Sequence, residues 1–198
     1  DLYTQSYVMP FLMPMLENAG AYVMSPRERD INTFEQIIDG EGKYAYSGYQ
    51  EHKKGEKWYD GSNAGFAYER AEYRNFENPF KEGTYREAKT SNNKDKVSTA
   101  SWSAEVPKDG NYAVYISYAT TPKSVSDVRY TINSQAGSKE FVVNQKMGGG
   151  TWLYLGHYPL KAGLNENVVE ISNYSEENGV VTADAVKIGG GIGNIARK

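Results

Sequence analysis

Short β-strand patterns repeat along most of the sequence and constrain the fold more than any other feature. From residue 33 onward, β-branched and aromatic residues frequently alternate with polar ones, and turn pairs such as Asp109-Gly110 and Asn178-Gly179 separate the runs. This pattern predicts an antiparallel β-sandwich. The predicted strands are TFEQIID (33–39), AGFAYER (64–70), TYREAKT (84–90), TASWSAEV (99–106), NYAVYISYAT (111–120), DVRYTINS (127–134), KEFVVNQ (139–145), TWLYLGHY (151–158), ENVVEIS (166–172) and VVTADAVKI (180–188).

The first 31 residues have a different pattern. Apolar residues recur there at the three- and four-residue spacing of a helix face, which ends at the stop signal Asn18-Ala19-Gly20. Pro10 and Pro14 start the helix near residue 10 or kink it, and AYVMS (21–25) predicts a short strand after it. The sequence therefore predicts three parts: a helix-strand segment at 1–31, a β-sandwich at 32–189 and a glycine-rich linker at 190–198.

Composition excludes several partners. The 198 residues, 39% of them hydrophobic, are enough to bury the core of one domain. A net charge of −3 without a Lys/Arg cluster argues against nucleic acid as a partner. The longest apolar stretch, residues 7–16, is much shorter than the roughly 20 residues of a membrane span, so no membrane insertion is expected. Cysteine is absent, which excludes disulfides and thiolate metal sites.

The sequence contains no pattern that is typical of a catalytic site. A nucleophile elbow and a phosphate-binding loop are missing, and GGGIG near the C-terminus lacks the Lys-Ser/Thr pair of such a loop. His52 and His157 are far apart and lack the H-E-x-x-H spacing of a zinc site. The adjacent pair Glu176-Glu177 is interpreted as a solvated turn. We therefore expect no catalytic residue, metal or cofactor in this chain.

Two aromatic groups are candidate ligand-binding residues. The first group, Tyr49, Trp58 and Tyr59, lies in a polar stretch at 44–64 that we interpret as a long surface loop; a second such loop is expected at 75–83. Exposed aromatic rings flanked by polar groups can bind the apolar faces of sugars. The alternative is that these side chains tie the loop down over one end of the sandwich.

The second group lies in TWLYLGHY, after three consecutive glycines at 148–150. We interpret the glycines as the turn of a hairpin between KEFVVNQ and TWLYLGHY, since glycine adopts positive φ freely. Strand alternation predicts that Leu153 and Leu155 face the core and that the other face carries Trp152, Tyr154 and Tyr158. Trp152 and Tyr154 are therefore further ligand-binding candidates. The alternative is that this aromatic row covers apolar surface beneath a neighbouring segment.

Two residues inside predicted strands carry expectations about the core. Trp102 alternates with Ala100 and Ala104 and is expected to be buried. Asp184 interrupts the apolar run VVTADAVKI, so its carboxylate should accept hydrogen bonds from backbone donors or bind a structural cation such as calcium.

Most of the sequence resembles a known family. FVVNQKMGGGTWLYLGHYPLKAG, VVEISN and VVTADAVKI are similar to the C-terminal part of the golvesin C-terminal-like domain, and TFEQIIDGEG and STASWSAEVPKDGNYAVYISYA to its earlier strands. The resemblance covers roughly residues 33–188 and is weakest at 45–96. It implies a jelly-roll-like, galactose-binding-like sandwich in bacterial extracytoplasmic proteins, some of them called xanthan lyases. By analogy with carbohydrate-binding modules, it also implies a glycan partner, although the family has no firmly shared ligand.

The beginning of the chain resembles another family. YVMPFLMPMLENAGAYVMSPRERD (7–30) is similar to a helix and strand of zinc-dependent N-acetylmuramoyl-L-alanine amidases, through Leu16, Ala19, Gly20, Val23, Arg27 and Asp30. None of the two His and one Glu zinc ligands of that family can be placed on this sequence. We interpret the sandwich as an insert after the first helix and strand of an amidase-like domain, in a chain that is part of a larger protein.

These observations predict a noncatalytic carbohydrate- or cell-wall-binding module of an extracytoplasmic protein that processes polysaccharide or peptidoglycan. Polysaccharide, peptidoglycan and the rest of the parent protein are the expected partners, and the parent could be an amidase-like or lyase-like hydrolase. The alternative is a structural insert or protein-interaction module that binds no glycan.

Overall fold

The computed structural model describes residues 34–40, 48–66 and 84–189. They form twelve strands and a short 3₁₀ turn at Lys94–Lys96. The strands are β1 (Glu35–Asp39), β2 (Tyr49–His52), β3 (Tyr59–Ala64), β4 (Thr84–Lys89), β5 (Thr99–Val106), β6 (Gly110–Ile116), β7 (Val128–Ser134), β8 (Gly137–Val143), β9 (Leu153–Leu160), β10 (Gly163–Ser172), β11 (Val180–Ala183) and β12 (Ala185–Gly189). The predicted helix-strand segment at 1–31 and the predicted linker at 190–198 lie outside the described residues.

Two antiparallel sheets form a sandwich, which confirms the predicted fold class. Sheet 1 has the strand order β1-β12-β6-β9 and sheet 2 the order β2-β5-β10-β7-β8. Alternate residues of both sheets meet in one core, for example Val114 and Val186 from sheet 1 and Trp102 and Val169 from sheet 2. Trp102 is 1% exposed, as predicted. Each large apolar side chain buried in this way stabilises the fold by about 1.5–3 kcal/mol.

A third sheet, sheet 3, has the order β11-β4-β3 and adds Ala88, Val181 and Ala183 to the same core. The run VVTADAVKI was predicted as one strand, and this is wrong. β11 ends at Ala183 in sheet 3, and β12 begins at Ala185 in sheet 1. Every residue of both strands is buried, so no alternation marks the change of sheet, and only Asp184, between the two strands, interrupts the apolar run where the sheet changes.

The predicted surface loop at 44–64 contains two strands, which is a second correction. β2 lies at the edge of sheet 2, and β3 lies at the edge of sheet 3. Their sequences, YQEH and YDGSNA, are largely polar, and most of their side chains are exposed. An edge strand of this kind is held by backbone hydrogen bonds to one neighbour, so it shows no apolar alternation. The other predicted loop, at 75–83, lies outside the described residues.

The segment around the three glycines is not a hairpin, contrary to the prediction. β8 pairs with β7 in sheet 2, whereas β9 pairs with β6 in sheet 1. Residues 144–152 therefore cross from one sheet to the other. Gly148 and Gly150 have φ values of 74° and 71°, so the expected positive φ is present. The Gly150 N–H donates to the Tyr118 carbonyl at 3.0 Å and fixes the crossing against the end of β6.

Candidate functional site

A row of aromatic and cationic side chains crosses the outer face of sheet 1. Strand pairing places Ile37 beside Lys187, Lys187 beside Tyr115, and Tyr115 beside Tyr154. Each of these residues alternates along its strand with residues of the core, so their side chains lie on the face turned away from it. Trp152, just before β9, packs against the same row. We call Tyr115, Trp152, Tyr154 and Lys187 the aromatic patch.

A β-bulge at Gly156 sets which side chains of β9 reach this face. The pairing with β6 shifts by one residue between Tyr154 and Gly156, and the φ of Gly156 is 127°. Beyond the bulge the alternation is reversed. Tyr158 is therefore 7% exposed in the core, with its hydroxyl donating to the Leu155 carbonyl at 2.9 Å. The prediction that Tyr158 shares a face with Trp152 and Tyr154 is wrong for this reason.

Lys187 lies between two rings of the patch. Its Nζ is 4.5 Å from the centroid of Tyr115 and 5.1 Å from that of Trp152. The side chain is only 9% exposed. Burial lowers the pKa of Lys187, and the nearby Glu35 carboxylate opposes this effect. Cation–π contacts contribute roughly 0.5–2 kcal/mol each and offset part of the cost of burying the ammonium group.

Tyr154 is the most exposed ring of the patch, with 47% of the side chain accessible to solvent. Its ring centroid lies 5.2 Å from that of Tyr115, and its hydroxyl contacts His157 Nδ1. Burial raises the pKa of Tyr154. Burial also raises the pKa of Tyr115, with smaller contributions from Tyr154 and Glu35. Both phenols therefore stay protonated at neutral pH and can act as hydrogen-bond donors.

Trp152 is half-buried and packs on one side against the segment that follows β3. Its ring centroid lies 5.5 Å from that of Phe66, and the two rings meet edge to face. Phe66 forms a small apolar cluster with Ile37 and Ala185. Trp152 thus covers apolar surface beneath a neighbouring segment, which is the alternative considered above, while it also contacts the Lys187 ammonium group.

Asp184 holds this segment in place. Its Oδ2 accepts a hydrogen bond from the Phe66 N–H at 2.8 Å, and Asp184 is 1% exposed. The expectation of a backbone hydrogen bond is confirmed. A cleft of about 360 Å³ lies beside this contact, lined by Asn63, Ala64, Gly65, Phe66, Tyr118, Ala119, Gly150 and Asp184. Phe66 therefore connects the cleft with the aromatic patch.

The first group of candidate aromatics occupies other positions. Trp58 is 4% exposed in the core, and its Nε1 donates to the Thr99 carbonyl at 3.1 Å. It ties down its segment, as the alternative interpretation proposed, and presents no ring to a surface ligand. Tyr59 is half-buried on β3, where burial and the Glu87 carboxylate raise its pKa. The structure does not bring these two residues to the aromatic patch.

Tyr49 is also half-buried. Its ring centroid lies 5.3 Å from that of Trp102, and its hydroxyl donates to Glu51 Oε1 at 3.0 Å. Arg86 donates to the same Glu51 atom at 2.7 Å and contacts Asp60. Burial and the Glu51 charge raise the pKa of Tyr49. These groups are paired with one another, so they connect β2, β3 and β4.

Two members of the patch were not among the predicted site residues. Lys187 and Tyr115 lie inside strands that were predicted for the core. A lysine in the largely apolar run VVTADAVKI was the available signal, but the strand register is needed to place it beside Tyr115 and Tyr154.

Within residues 34–40, 48–66 and 84–189, no group of three or more His, Asp or Glu residues could hold a metal ion. His52 lies on β2 of sheet 2, and His157 lies on β9 of sheet 1. In the same part of the chain, no helix has the length and hydrophobicity that a membrane span requires.

Known proteins match this chain in sequence and in fold. The family model of the Golvesin C-terminal domain matches residues 75–190. A comparison with curated proteins gives no match. A Paenibacillus xanthan lyase structure matches 79% of this chain with a TM-score of 0.57 and 24% identity, and the match covers 13% of the lyase chain. This likeness supports the sandwich fold, and the chain spans only a small part of that enzyme.

Two smaller structures are similar at lower TM-scores. A family 35 carbohydrate-binding module from Clostridium thermocellum has a TM-score of 0.45 and 18% identity, covering 79% of this chain and 98% of the module. A module from Cellvibrio mixtus lichenase 5A, in complex with cellotriose, has a TM-score of 0.40 and 13% identity, covering 78% of this chain and 96% of that one.

Proposed function

The chain belongs to the Golvesin C-terminal domain family, and from this premise we propose that its β-sandwich is a noncatalytic carbohydrate-binding module. The observation that carries the proposal is the exposed Tyr154 ring, next to Tyr115 on the outer face of sheet 1. Sugar rings have apolar C–H faces that pack on aromatic rings, and their hydroxyls pair with flanking polar groups. The aromatic patch offers both kinds of contact.

The proposed role is binding without chemistry. The patch contains phenols, an indole and an ammonium group, and these groups can hold a sugar by stacking and hydrogen bonding. Because the described residues place the patch on an outer sheet face, with Tyr154 47% exposed, we expect weak binding to single sugars and stronger apparent binding to polymers that offer many sites. The cleft beside Phe66 could receive a second sugar of the same polymer.

The wider context is part of the same proposal. We expect the parent protein to act on a polysaccharide or on peptidoglycan outside the cytoplasm, with this module holding it on the polymer. The amidase-like interpretation of residues 7–30 and the domain boundaries at residues 31 and 189 stay predictions, since the segments at 1–31 and 190–198 lie outside the described ranges. Xanthan is a reasonable first probe because one structure with this fold is named a xanthan lyase.

The test is affinity electrophoresis of the chain in gels that contain xanthan, polygalacturonate or a neutral β-glucan, together with co-sedimentation on insoluble peptidoglycan. We expect retardation by at least one polymer and about fivefold weaker retention of Tyr154→Ala, as expected for losing about 1 kcal/mol of ring contact. Leu164→Ala is the matched control, because Leu164 is 65% exposed and lies outside the patch. Absence of retention on every polymer would favour the structural or protein-interaction role instead.

A further inference from the structure

Lys187 is a buried cation that forms no ion pair with any residue that the structure describes. It is nine-tenths buried, yet among the described residues it makes no hydrogen bond or ion pair, and its Nζ contacts only the Tyr115 and Trp152 rings. In this part of the chain, the side-chain nitrogen atoms that are fully buried without a hydrogen-bond partner are those of Trp102 and Arg129, and Lys187 Nζ is not among them. The Lys187 ammonium group therefore keeps some contact with solvent.

Burying the Lys187 ammonium group costs the unliganded protein free energy. Burial penalises the charged form, and cation–π contacts with two rings recover only part of the lost hydration. An anion that approaches from solvent would restore the missing charge-assisted hydrogen bonds, each about twice as strong as a neutral one. In the described part of the chain, the aromatic patch thus holds a largely buried cation that no carboxylate pairs with directly.

The positive charge of Lys187 is local, because the chain as a whole is acidic. The net charge of the chain is −3, so an acidic polymer gains no general attraction to it. Glu35 lies on the same face, one pair further along β1, and it is close enough to affect the pKa of Lys187. Its carboxylate would compete weakly with an incoming anion, since it forms no direct ion pair with Lys187 in the described structure.

We propose that Lys187 is a specificity-determining residue that selects polysaccharides with anionic groups, the ammonium group binding the anion while Tyr115, Trp152 and Tyr154 contact the sugar. This inference rests on the proposed function and names the class of glycan that the same patch takes. The anion is a carboxylate or a sulfate on the sugar, and both present the oxygen acceptors that an ammonium donor needs.

The test compares matched pairs of polymers and matched variants. The probes are polygalacturonate with its carboxyl-reduced form, and dextran sulfate with dextran, in affinity electrophoresis at fixed ionic strength. Lys187→Met removes the charge and keeps the length of the side chain, whereas Lys187→Arg keeps the charge. Lys139→Met is the control for net charge, since Lys139 Nζ also lies over a ring, that of Phe141 at 4.9 Å, but on sheet 2. Thermal unfolding verifies that each variant folds.

We expect the wild type to prefer an anionic polymer over its neutral counterpart. Lys187→Met should weaken that binding about tenfold, with little change on the neutral polymer, while Lys187→Arg and Lys139→Met should keep the preference. Retention by the carboxyl polymer alone, or by the sulfate polymer alone, identifies the anion. Equal binding of charged and neutral polymers, or an unchanged preference in Lys187→Met, overturns the inference and leaves the proposed function standing. Absence of binding to these four polymers, and also to xanthan, the neutral β-glucan and peptidoglycan, overturns both.

Discussion

Lys187 Nζ lies 4.5 Å from the centroid of the Tyr115 ring, on the neighbouring strand of sheet 1. The contact depends on register, because a slip of one residue in β12 would turn Lys187 into the core and expose an apolar residue in its place. The centroid of the Trp152 ring lies 5.1 Å from the same Lys187 Nζ atom. Strand pairing therefore brings the chemical groups of the aromatic patch together.

Binding of an anionic polysaccharide should weaken as the pH rises through the pKa of Lys187, which burial places below the ordinary value of 10.5. The ammonium group is the form that binds an anion, so its loss removes the contact. Lys187→Arg should keep its affinity over the same interval, because a guanidinium stays protonated. The measurement is a dissociation constant against pH for both proteins.

The comparison with Lys187→Arg isolates this group from its neighbours. The other ionisable groups on the same face of sheet 1 are present in both proteins; they are Glu35, Asp39, Tyr115, Tyr154 and His157. A rise in pH has the opposite effect on folding stability to its effect on binding. The unfolded chain holds the Lys187 proton to higher pH than the fold does, so this residue makes folding more favourable as the pH rises between the two pKa values. An affinity that falls equally in both proteins would contradict the assignment to Lys187.

Glu35→Gln should strengthen the binding of an anionic polymer by about two- to fivefold. The Glu35 carboxylate lies near Lys187 and raises its pKa, and the same charge repels an anionic ligand. Removing it leaves a more positive face at low ionic strength, and added salt should reduce the gain. Equilibrium titrations at two salt concentrations measure the effect. Glu105→Gln, an exposed position on β5, serves as the charge-matched control; an equal gain there would point to net charge alone.

Gly156→Ala should lower the free energy of unfolding by about 1–3 kcal/mol. Gly156 has a φ of 127°, and an added Cβ would lie 3.2 Å from the Tyr158 hydroxyl oxygen. Gly137→Ala is the matched control, because Gly137 has a φ of 98° but no atom within 4 Å of an added Cβ. Urea unfolding of both variants should show the larger loss for Gly156→Ala. Equal losses would mean that the contact with Tyr158 is unimportant for the bulge.

Asp184→Ala should destabilise the fold by about 1–3 kcal/mol, because the Phe66 N–H loses this buried acceptor. Asp184→Asn keeps an oxygen that can accept the bond, so its loss should be smaller. Hydrogen exchange at the Phe66 amide gives a direct readout, with faster exchange expected in Asp184→Ala than in Asp184→Asn. Unchanged exchange in both variants would contradict the proposed role of Asp184 in holding Phe66 against Trp152.

The sequence predicts the sandwich well because its central strands bury one or both faces. The β5 sequence TASWSAEV places Trp102 in the core by simple alternation, and the predicted bounds of this strand agree with the structure. The edge strands β2 and β3 escape prediction because backbone pairing at an edge leaves little trace in the side chains. The pairing of β9 with β6 instead of β8 depends on contacts distant in sequence, which periodicity cannot supply.

The candidate site could be predicted in part. Tyr154 is identified by alternation within TWLYLGHY, and the structure exposes it. Tyr158 is misplaced by the same rule, because the bulge at Gly156 adds one residue and reverses the alternation. The polar sequence around Trp58 predicts exposure, but its side chain packs in the core, where its Nε1 donates a hydrogen bond to the Thr99 carbonyl. Lys187 can be recognised as part of the site only when β12, β6 and β9 are placed in register.

Nuclear magnetic resonance mapping with an anionic oligosaccharide tests the central claim most directly. On titration with oligogalacturonate, we predict chemical-shift changes at the Trp152 indole, at the Tyr115 and Tyr154 rings and at the Lys187 side chain. The Trp58 indole, which donates to the Thr99 carbonyl in the core, should stay unchanged and serve as the internal control. Shifts confined to another surface, such as the outer face of sheet 2 around Arg129 and Tyr174, would contradict the assignment of the glycan site to the aromatic patch.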